Sequence, residues 1–296
     1  MKRSAFTMIE LVFVIVIMGI IGKFGVEFLA QTYRTFIHAK INNELHSNSA
    51  NALQFIAKRL EYRIAPSTIK RVGTGGFVGV TEVVANPDTY NVLEWIAYDS
   101  DGFRGTTAPL WSGIIDLDPS LTTITTLSSV ETNTTAIDEL IITLSDDNTS
   151  GIQNAAIMFN AASHNPNSFG WAGGDDLTDQ TKSMHPIDAT GNINDFVSGI
   201  ATDNFEGVNA YNRYMLAWSA YAIVHDGTNL TLYYNYQPWQ GENYQTHGTA
   251  QLLMENVDTF RIKTNPSGGI FSIMVCARSN LMAGEEHSIC KEKVIF

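Results

Sequence analysis

The chain has 296 residues, of which 44% are hydrophobic and 16% charged, so a core can be buried and wholesale disorder is excluded. Its 18 basic residues face 30 acidic ones, a net charge of -12 that argues against a protein living on phosphate-backbone contacts; no general nucleic-acid binding is expected. Two cysteines exclude a disulfide-dense miniprotein and any four-cysteine zinc or iron–sulfur cage.

Apolar residues are concentrated at the N-terminus. From Phe6 to Ala30 there are 25 residues, and only Glu10, Lys23 and Glu27 among them carry charge. As a helix this stretch can cross a hydrocarbon core, and Lys2 with Arg3 would hold its start in the cytoplasm, leaving everything after Ala30 outside. A cleaved secretory signal requires small residues before the cut, and the nearest candidate, Phe28-Leu29-Ala30, places a bulky Phe28 there. A lipoprotein signal requires a cysteine after the apolar run, and the first is Cys276. A plain anchor fits the length but leaves Glu10 unexplained, because a carboxylate inside an apolar segment is costly and points to a partner.

Lys2-Arg3-Ser4-Ala5 followed by Phe6-Thr7-Met8-Ile9-Glu10-Leu11 and the apolar run resembles the N-terminus of type IV pilins and type II secretion pseudopilins. The resemblance implies a prepilin peptidase that cuts between Ala5 and Phe6 and methylates the new Phe6 amine. It implies a leader over 1–5 and an inner-membrane, single-pass precursor with a periplasmic head, which later enters a filament or pseudopilus. The family usually has Gly before the cut, where this chain has Ala5. Glu10 matches the glutamate at the family's fifth mature position. In a bundle of such helices its carboxylate can meet the Phe6 ammonium of a neighbour as an assembly salt bridge. Stranding one half of such a desolvated pair costs roughly 3–5 kcal/mol, which would set axial register.

Helical spacing continues beyond the membrane segment through Ile37, Ile41, Leu45, Leu53, Ile56, Leu60 and Ile64, and Pro66 is the expected stop. The sequence predicts one helix over 6–65, roughly 90 Å long, apolar all round over 6–30 and amphipathic thereafter. Many pilins carry a proline within this helix; here there is none before Pro66, but Gly19, Gly22 and Gly25 are three apart and are read either as ordinary transmembrane glycines or as a softening site.

Residues 66–296 read as a β-rich head, so the fold class is α+β, a pilin-like long helix on an antiparallel head. Leu93–Tyr98 alternates and is closed by a turn over Asp99–Gly102; Glu139–Leu144 is another apolar run taken as strand. Tyr211–Val224 and Leu230–Tyr236 flank His225-Asp226-Gly227-Thr228-Asn229 as a hairpin, and Val257–Lys263 with Ile270–Arg278 forms a second. The Gly-, Asn- and Asp-rich stretch 161–199 reads as an inserted loop region outside the core. Cys276 and Cys290 are 14 apart, and an oxidising compartment would let them close a C-terminal loop, the alternative being two free thiols. Such a disulfide loop also resembles many pilin heads, and the size with the C-terminal stretches resembles minor subunits of the J or W type.

Catalytic patterns are missing: there is no helical two-histidine zinc motif, no Gly-x-Ser-x-Gly elbow and no phosphate-binding Gly-x-x-x-x-Gly-Lys. No enzymatic activity and no organic cofactor are expected. Calcium is the one metal the acidic runs suggest, at Asp175, Asp176 and Asp179, against the plainer reading of solvated turns; Asp99/Asp101, Asp116/Asp118 and Asp146/Asp147 are lesser candidates. Aromatics crowd Tyr211–Trp239 and are read as core or cross-strand pairs, or as an exposed strip that binds a sugar or protein. The expected partners are the peptidase, other pilin or pseudopilin subunits, an inner-membrane assembly platform and the membrane itself. The function expected is a minor pilin or pseudopilin that initiates or caps the filament, the alternative being a tip adhesin.

Overall fold

A computed structural model of the chain describes residues 7–145, 150–172, 182–200, 204–265, 270–282 and 285–296. The N-terminal helix α1 covers Met8–Leu60, 53 residues, or about 80 Å at 1.5 Å per residue. Short strands β1 (Ile69–Arg71) and β2 (Phe77–Gly79) follow, then β3 (Val92–Ala97), the single-turn helix α2 (Ser100–Arg104), β4 (Thr126–Ser128) and helix α3 (Thr134–Ser145). Next come β5 (Ala156–Phe159), β6 (His185–Ala189), β7 (Asp195–Ser198), β8 (Tyr214–Ala217), β9 (Ser219–His225) and β10 (Leu230–Tyr236). The chain ends with β11 (Thr249–Met254), β12 (Val257–Asn265), β13 (Ile270–Met282) and β14 (Glu285–Ile295).

The strands form three antiparallel sheets, ordered β11-β10-β9-β3-β1-β2, β12-β13-β14 and β4-β7-β6-β5-β8. The architecture is α+β, as the sequence predicts. From Ile41 onward α1 buries one stripe, Ile41, Leu45, Ala52, Leu53, Ile56 and Leu60, at spacings of three and four, with Ser49 donating its hydroxyl to Leu45 O within it. That stripe packs in a common core with one face of the six-stranded sheet (Leu93, Trp95, Ile223, Leu232) and one face of the three-stranded sheet (Phe260, Ile262, Ile273, Val275). The opposite face of the six-stranded sheet, with Val92, Ile96, Ala220 and Tyr236, packs against Met158, Phe169, Trp171 and Trp239. A third core fills the five-stranded sheet and α3 around Ile137, Ile141, Ile157, Ile187, Phe196 and Leu216.

Several elements differ from the sequence reading. The helix stops at Leu60 instead of Ile64, because Ile64 N–H donates to Ile96 O at 2.8 Å and joins the chain to the end of β3. The run Leu93–Ala97 does not alternate between core and solvent: its two faces enter two different cores, so both are buried. Asp99 does not open a simple turn but caps α2, its carboxylate accepting from Gly102 N at 3.0 Å. Glu139–Leu144 lies in α3, whose buried Ile137 and Ile141 are four apart on one helical face. Tyr211–Val224 is broken at Trp218 into β8 and β9, which pair in different sheets.

The stretch 161–199 is not an insertion outside the core. It contributes β6 and β7 to the five-stranded sheet, and Phe169, Trp171, Ile187 and Phe196 from it are buried. Its few large apolar residues are diluted by turn residues, so average composition conceals them. Both expected hairpins form, with β9 paired to β10 and β12 to β13. The C-terminal cysteines close a hairpin, not a loop: Cys276 and Cys290 are register partners in β13–β14 and are disulfide-bonded.

Candidate functional site

The described chain begins at Thr7, so Ala5 and Phe6 lie outside the described residues. Glu10 occupies the first turn of α1. Its Oε2 accepts the Thr7 backbone N–H at 3.1 Å and the Thr7 hydroxyl at 3.0 Å. The spacing is the Thr-x-x-Glu of a capping box, which satisfies helix N–H groups that no preceding turn can reach. In the single chain the carboxylate is therefore held against its own helix start.

Past Glu10 the helix is uncovered. Every residue from Met8 to Phe36 is exposed, including Phe13, Ile15, Ile21, Phe24, Phe28 and Leu29. This helix is long and apolar enough to cross a membrane. A Cβ added at Gly19, Gly22 or Gly25 meets nothing within 4 Å, so no contact inside the chain requires those glycines. The first half of α1 has no partner among the described residues, whereas its second half is fixed in the core shared with the six- and three-stranded sheets.

Asp175, Asp176 and Asp179, the proposed calcium ligands, lie outside the described residues. Among the described residues no group of three or more His, Cys, Asp or Glu side chains converges as a metal site. Of the lesser acidic candidates, Asp146 and Asp147 lie outside the described residues and the others are already engaged. Asp116 Oδ1 accepts Asp118 N at 2.9 Å, and Asp118 Oδ1 accepts Ser120 N and Oγ, which lowers the Asp118 carboxyl below its ordinary pKa. Asp101 pairs with Arg104 at 2.9 Å. Asp99 is buried, and burial raises its carboxyl despite hydrogen bonds from Gly102 N–H and Trp111 Nε1.

Within the aromatic-rich segment Tyr214, Tyr236 and Trp239 are buried in the cores, and Tyr211, Trp218, Tyr221, Tyr233 and Tyr234 are half-buried. They form no open aromatic strip. Trp95 stacks on Tyr221 at 5.7 Å, and Tyr233 meets Tyr244 edge-on at 5.2 Å, contacts of the cross-strand and core kind.

The sequence reading misses a charged group buried in the head. Glu94 is 1% exposed. It accepts from Arg71 Nε at 2.5 Å and from the Tyr236 hydroxyl at 3.1 Å. Arg71 also donates to Trp171 O at 2.9 Å and Gly75 O at 3.2 Å, and its guanidinium lies over the Phe77 ring. Burial raises the Glu94 carboxyl above its usual range, with the Arg71 charge opposing, and raises the Tyr236 hydroxyl well above its own. The group lines a cavity of about 210 Å³ with Thr74, Asn243 and Tyr244 at its sides. The available signal was Glu94 itself, the one charge inside the apolar run Val92–Tyr98. Its role is to tie β1, β3 and β10 together.

One long apolar N-terminal helix on a β-rich, disulfide-bonded head is compatible with a pilin-like fold. No protein-family description, curated protein or solved structure matches this chain.

Proposed function

We propose that the chain is a minor pilin or pseudopilin, a structural subunit that initiates or caps a type IV pilus or type II secretion pseudopilus after prepilin peptidase removes residues 1–5. The observation that carries this reading is the division of α1: bare from Met8 to Phe36 and mostly apolar as far as Ala30, then gripped by the head from Ile41. A helix apolar all round needs lipid or a bundle of like helices to cover it. The same element can serve in the membrane before assembly and in a filament afterwards.

Glu10 supplies the register. In the single chain Thr7 satisfies its carboxylate; in a bundle the freed Phe6 ammonium of an adjoining subunit is the stronger, oppositely charged partner. The precursor would lie in the inner membrane with its head in the periplasm, where Cys276 and Cys290 can stay oxidised. The chain's work in this reading is mechanical, not catalytic, and its partners are the peptidase, the assembly platform and other pilin subunits.

The test is mass spectrometry of the native product together with recovery of the Glu10→Ala variant in sheared filaments. A product beginning at methylated Phe6 and a variant that inserts in membranes but drops out of filaments are expected. Retention of residues 1–5, or equal recovery of variant and wild type, would reject the reading.

A further inference from the structure

Sheet edges are ready templates for foreign strands, and folded proteins ordinarily blunt them. Here all but one are blunted. At one end of the six-stranded sheet β2 has only three residues, and its Gly79 N–H is taken by Glu82. In the three-stranded sheet β12 carries Asp258, Arg261 and Lys263, with Arg261 tied to Asp88, while β14 carries Lys291, Glu292 and Lys293 and lies against α1. In the five-stranded sheet β4 is flanked by Asp116, whose N–H donates to Ser128 O, and β8 by Gly113, whose carbonyl accepts Tyr214 N–H.

The exception is β11, Thr249-Ala250-Gln251-Leu252-Leu253-Met254, six residues without a charge or a proline. Its outer backbone is free among the described residues. Asp226 N–H donates to Asn229 O at the β9–β10 turn, and alternation from that pair turns the backbone groups of Leu232 and Tyr234 toward β11. They face Gln251 and Thr249, so the N–H and C=O of Ala250 and Leu252 point away from the sheet. Leu252 O accepts only its neighbour's side-chain amide, at 3.4 Å, and Leu252 is 47% exposed. Beside this edge runs a cleft of about 640 Å³ between β11 and α1, lined by Glu44, Asn48, Asn51, Phe55 and Leu252.

We infer that β11 is a docking edge that accepts an extended segment of a different subunit of the same assembly as a seventh strand. Glu44 and Glu255 line the cleft and have no described cationic partner, and Arg278 at its end is drawn to Asp258 at 3.7 Å. The entering segment is therefore one that carries Lys or Arg. A second copy fits poorly. Antiparallel β11–β11 pairing places a twofold axis normal to the sheet, and α1, which lies on that sheet's face, would run in opposite directions in the two copies. Their membrane segments could not enter one bilayer from the same side. This argument rests on the reading of α1 as a shared membrane and filament element.

The test uses the full chain in its native membranes, with benzoylphenylalanine in place of the exposed Thr249 and, as a control, of Val83, also exposed. Irradiation is expected to yield an adduct with a different polypeptide from position 249 and none from 83. Leu252→Pro removes the outward N–H without taking a ladder hydrogen bond from β10 and should reduce that adduct at least tenfold, whereas Leu252→Ala, which loses the same side chain, keeps it; protease resistance of the head reports that each variant is folded. No adduct, a homodimer adduct, or an adduct that survives Leu252→Pro in a folded chain would overturn the inference. If the adduct forms although Glu10→Ala is recovered normally in filaments, the edge stands and the pilin reading falls. If Glu10→Ala drops out and position 249 gives nothing, the reverse holds.

Discussion

Arg71 and Glu94 meet across β1 and β3 at 2.5 Å although neither is the other's register partner: Arg71 is opposite Val92, and Glu94 is opposite Ile69. The contact is thus diagonal, made by a long side chain reaching over the pleat. Breaking a buried pair by removing one partner typically costs about 3–5 kcal/mol, since the remaining charge is stranded. Arg71→Met should lower stability by about that amount at pH 7, and Arg71's bonds to Trp171 O and Gly75 O go with it. The deficit should shrink on acidification, because Glu94 without its cation can take up a proton. Urea unfolding of the full chain in detergent at pH 7 and pH 4.5 measures both effects.

The pH dependence of the intact protein has a defined sign at this position. Burial holds the folded-state pKa of Glu94 above the ordinary 4.5. A carboxyl that binds its proton more tightly when folded contributes stability that is full below the unfolded pKa and is lost as pH rises through the folded one. Asp99, also raised by burial, acts in the same direction. Glu94→Gln fixes the uncharged form while keeping hydrogen-bonding atoms. Its unfolding midpoint should move upward relative to wild type as pH rises from 4 to 8. A constant difference between the two across that range would refute the sign.

The N-terminal helix was legible because its signal is uniform over many residues, from Phe6 to Ala30, and then strictly periodic from Ile41 to Leu60. Helix α3 was not. Its Thr134-Thr135-Ala136-Ile137-Asp138-Glu139-Leu140-Ile141-Ile142-Thr143 is rich in β-branched residues that favour strands. Tertiary burial of Ile137 and Ile141, together with Asn133 Oδ1 accepting from Ala136 N at 3.0 Å, decides for helix. The Arg71–Glu94 pair spans 23 positions and depends on strand register, which no local pattern encodes. Glu10, by contrast, stood out because a charge in an apolar run is visible without any fold.

The placement of β7 in a core makes Phe196 a direct probe of the stretch 161–199. Phe196 is fully buried beside Leu127, Ile187 and Tyr214. Phe→Ala in such a position costs about 3–5 kcal/mol from lost transfer energy and the cavity left behind. Phe196→Ala should therefore lower the thermal midpoint by many degrees, whereas Ile193→Ala, at an exposed position two residues after Gly191, should change it little. Equal, small effects would return the segment to the status of a surface insertion.

The disulfide joins strands that are already paired over their length, and this tempers its role. Closing a loop of about 15 residues is worth roughly 3 kcal/mol in the chain-entropy model. Replacing both cysteines with serine should cost no more than that, with β13 still paired to β14. Because Cys276 is buried, a Cys276→Ala, Cys290→Ala pair should be milder than the serine pair, which buries a hydroxyl. Denaturant midpoints of the two double variants, each against the oxidised wild type, check the order.

The proposed reading gives Glu10 two roles, helix cap and counter-ion, that different substitutions separate. As a cap it accepts from Thr7 N–H and hydroxyl, a task the glutamine amide oxygen can perform nearly as well. As a counter-ion for a neighbour's Phe6 ammonium it needs its charge, and a stranded partner costs about 3–5 kcal/mol, more than a hundredfold in occupancy. Glu10→Gln should therefore keep α1 helical and membrane-inserted while reducing filament incorporation at least tenfold, and Glu10→Ala should match it. Glu10→Asp retains the charge on a shorter arm and should be intermediate. Quantitative immunoblots of sheared filaments against total membrane read the series. Glutamine equal to wild type would mean that the carboxylate works as a helix cap alone.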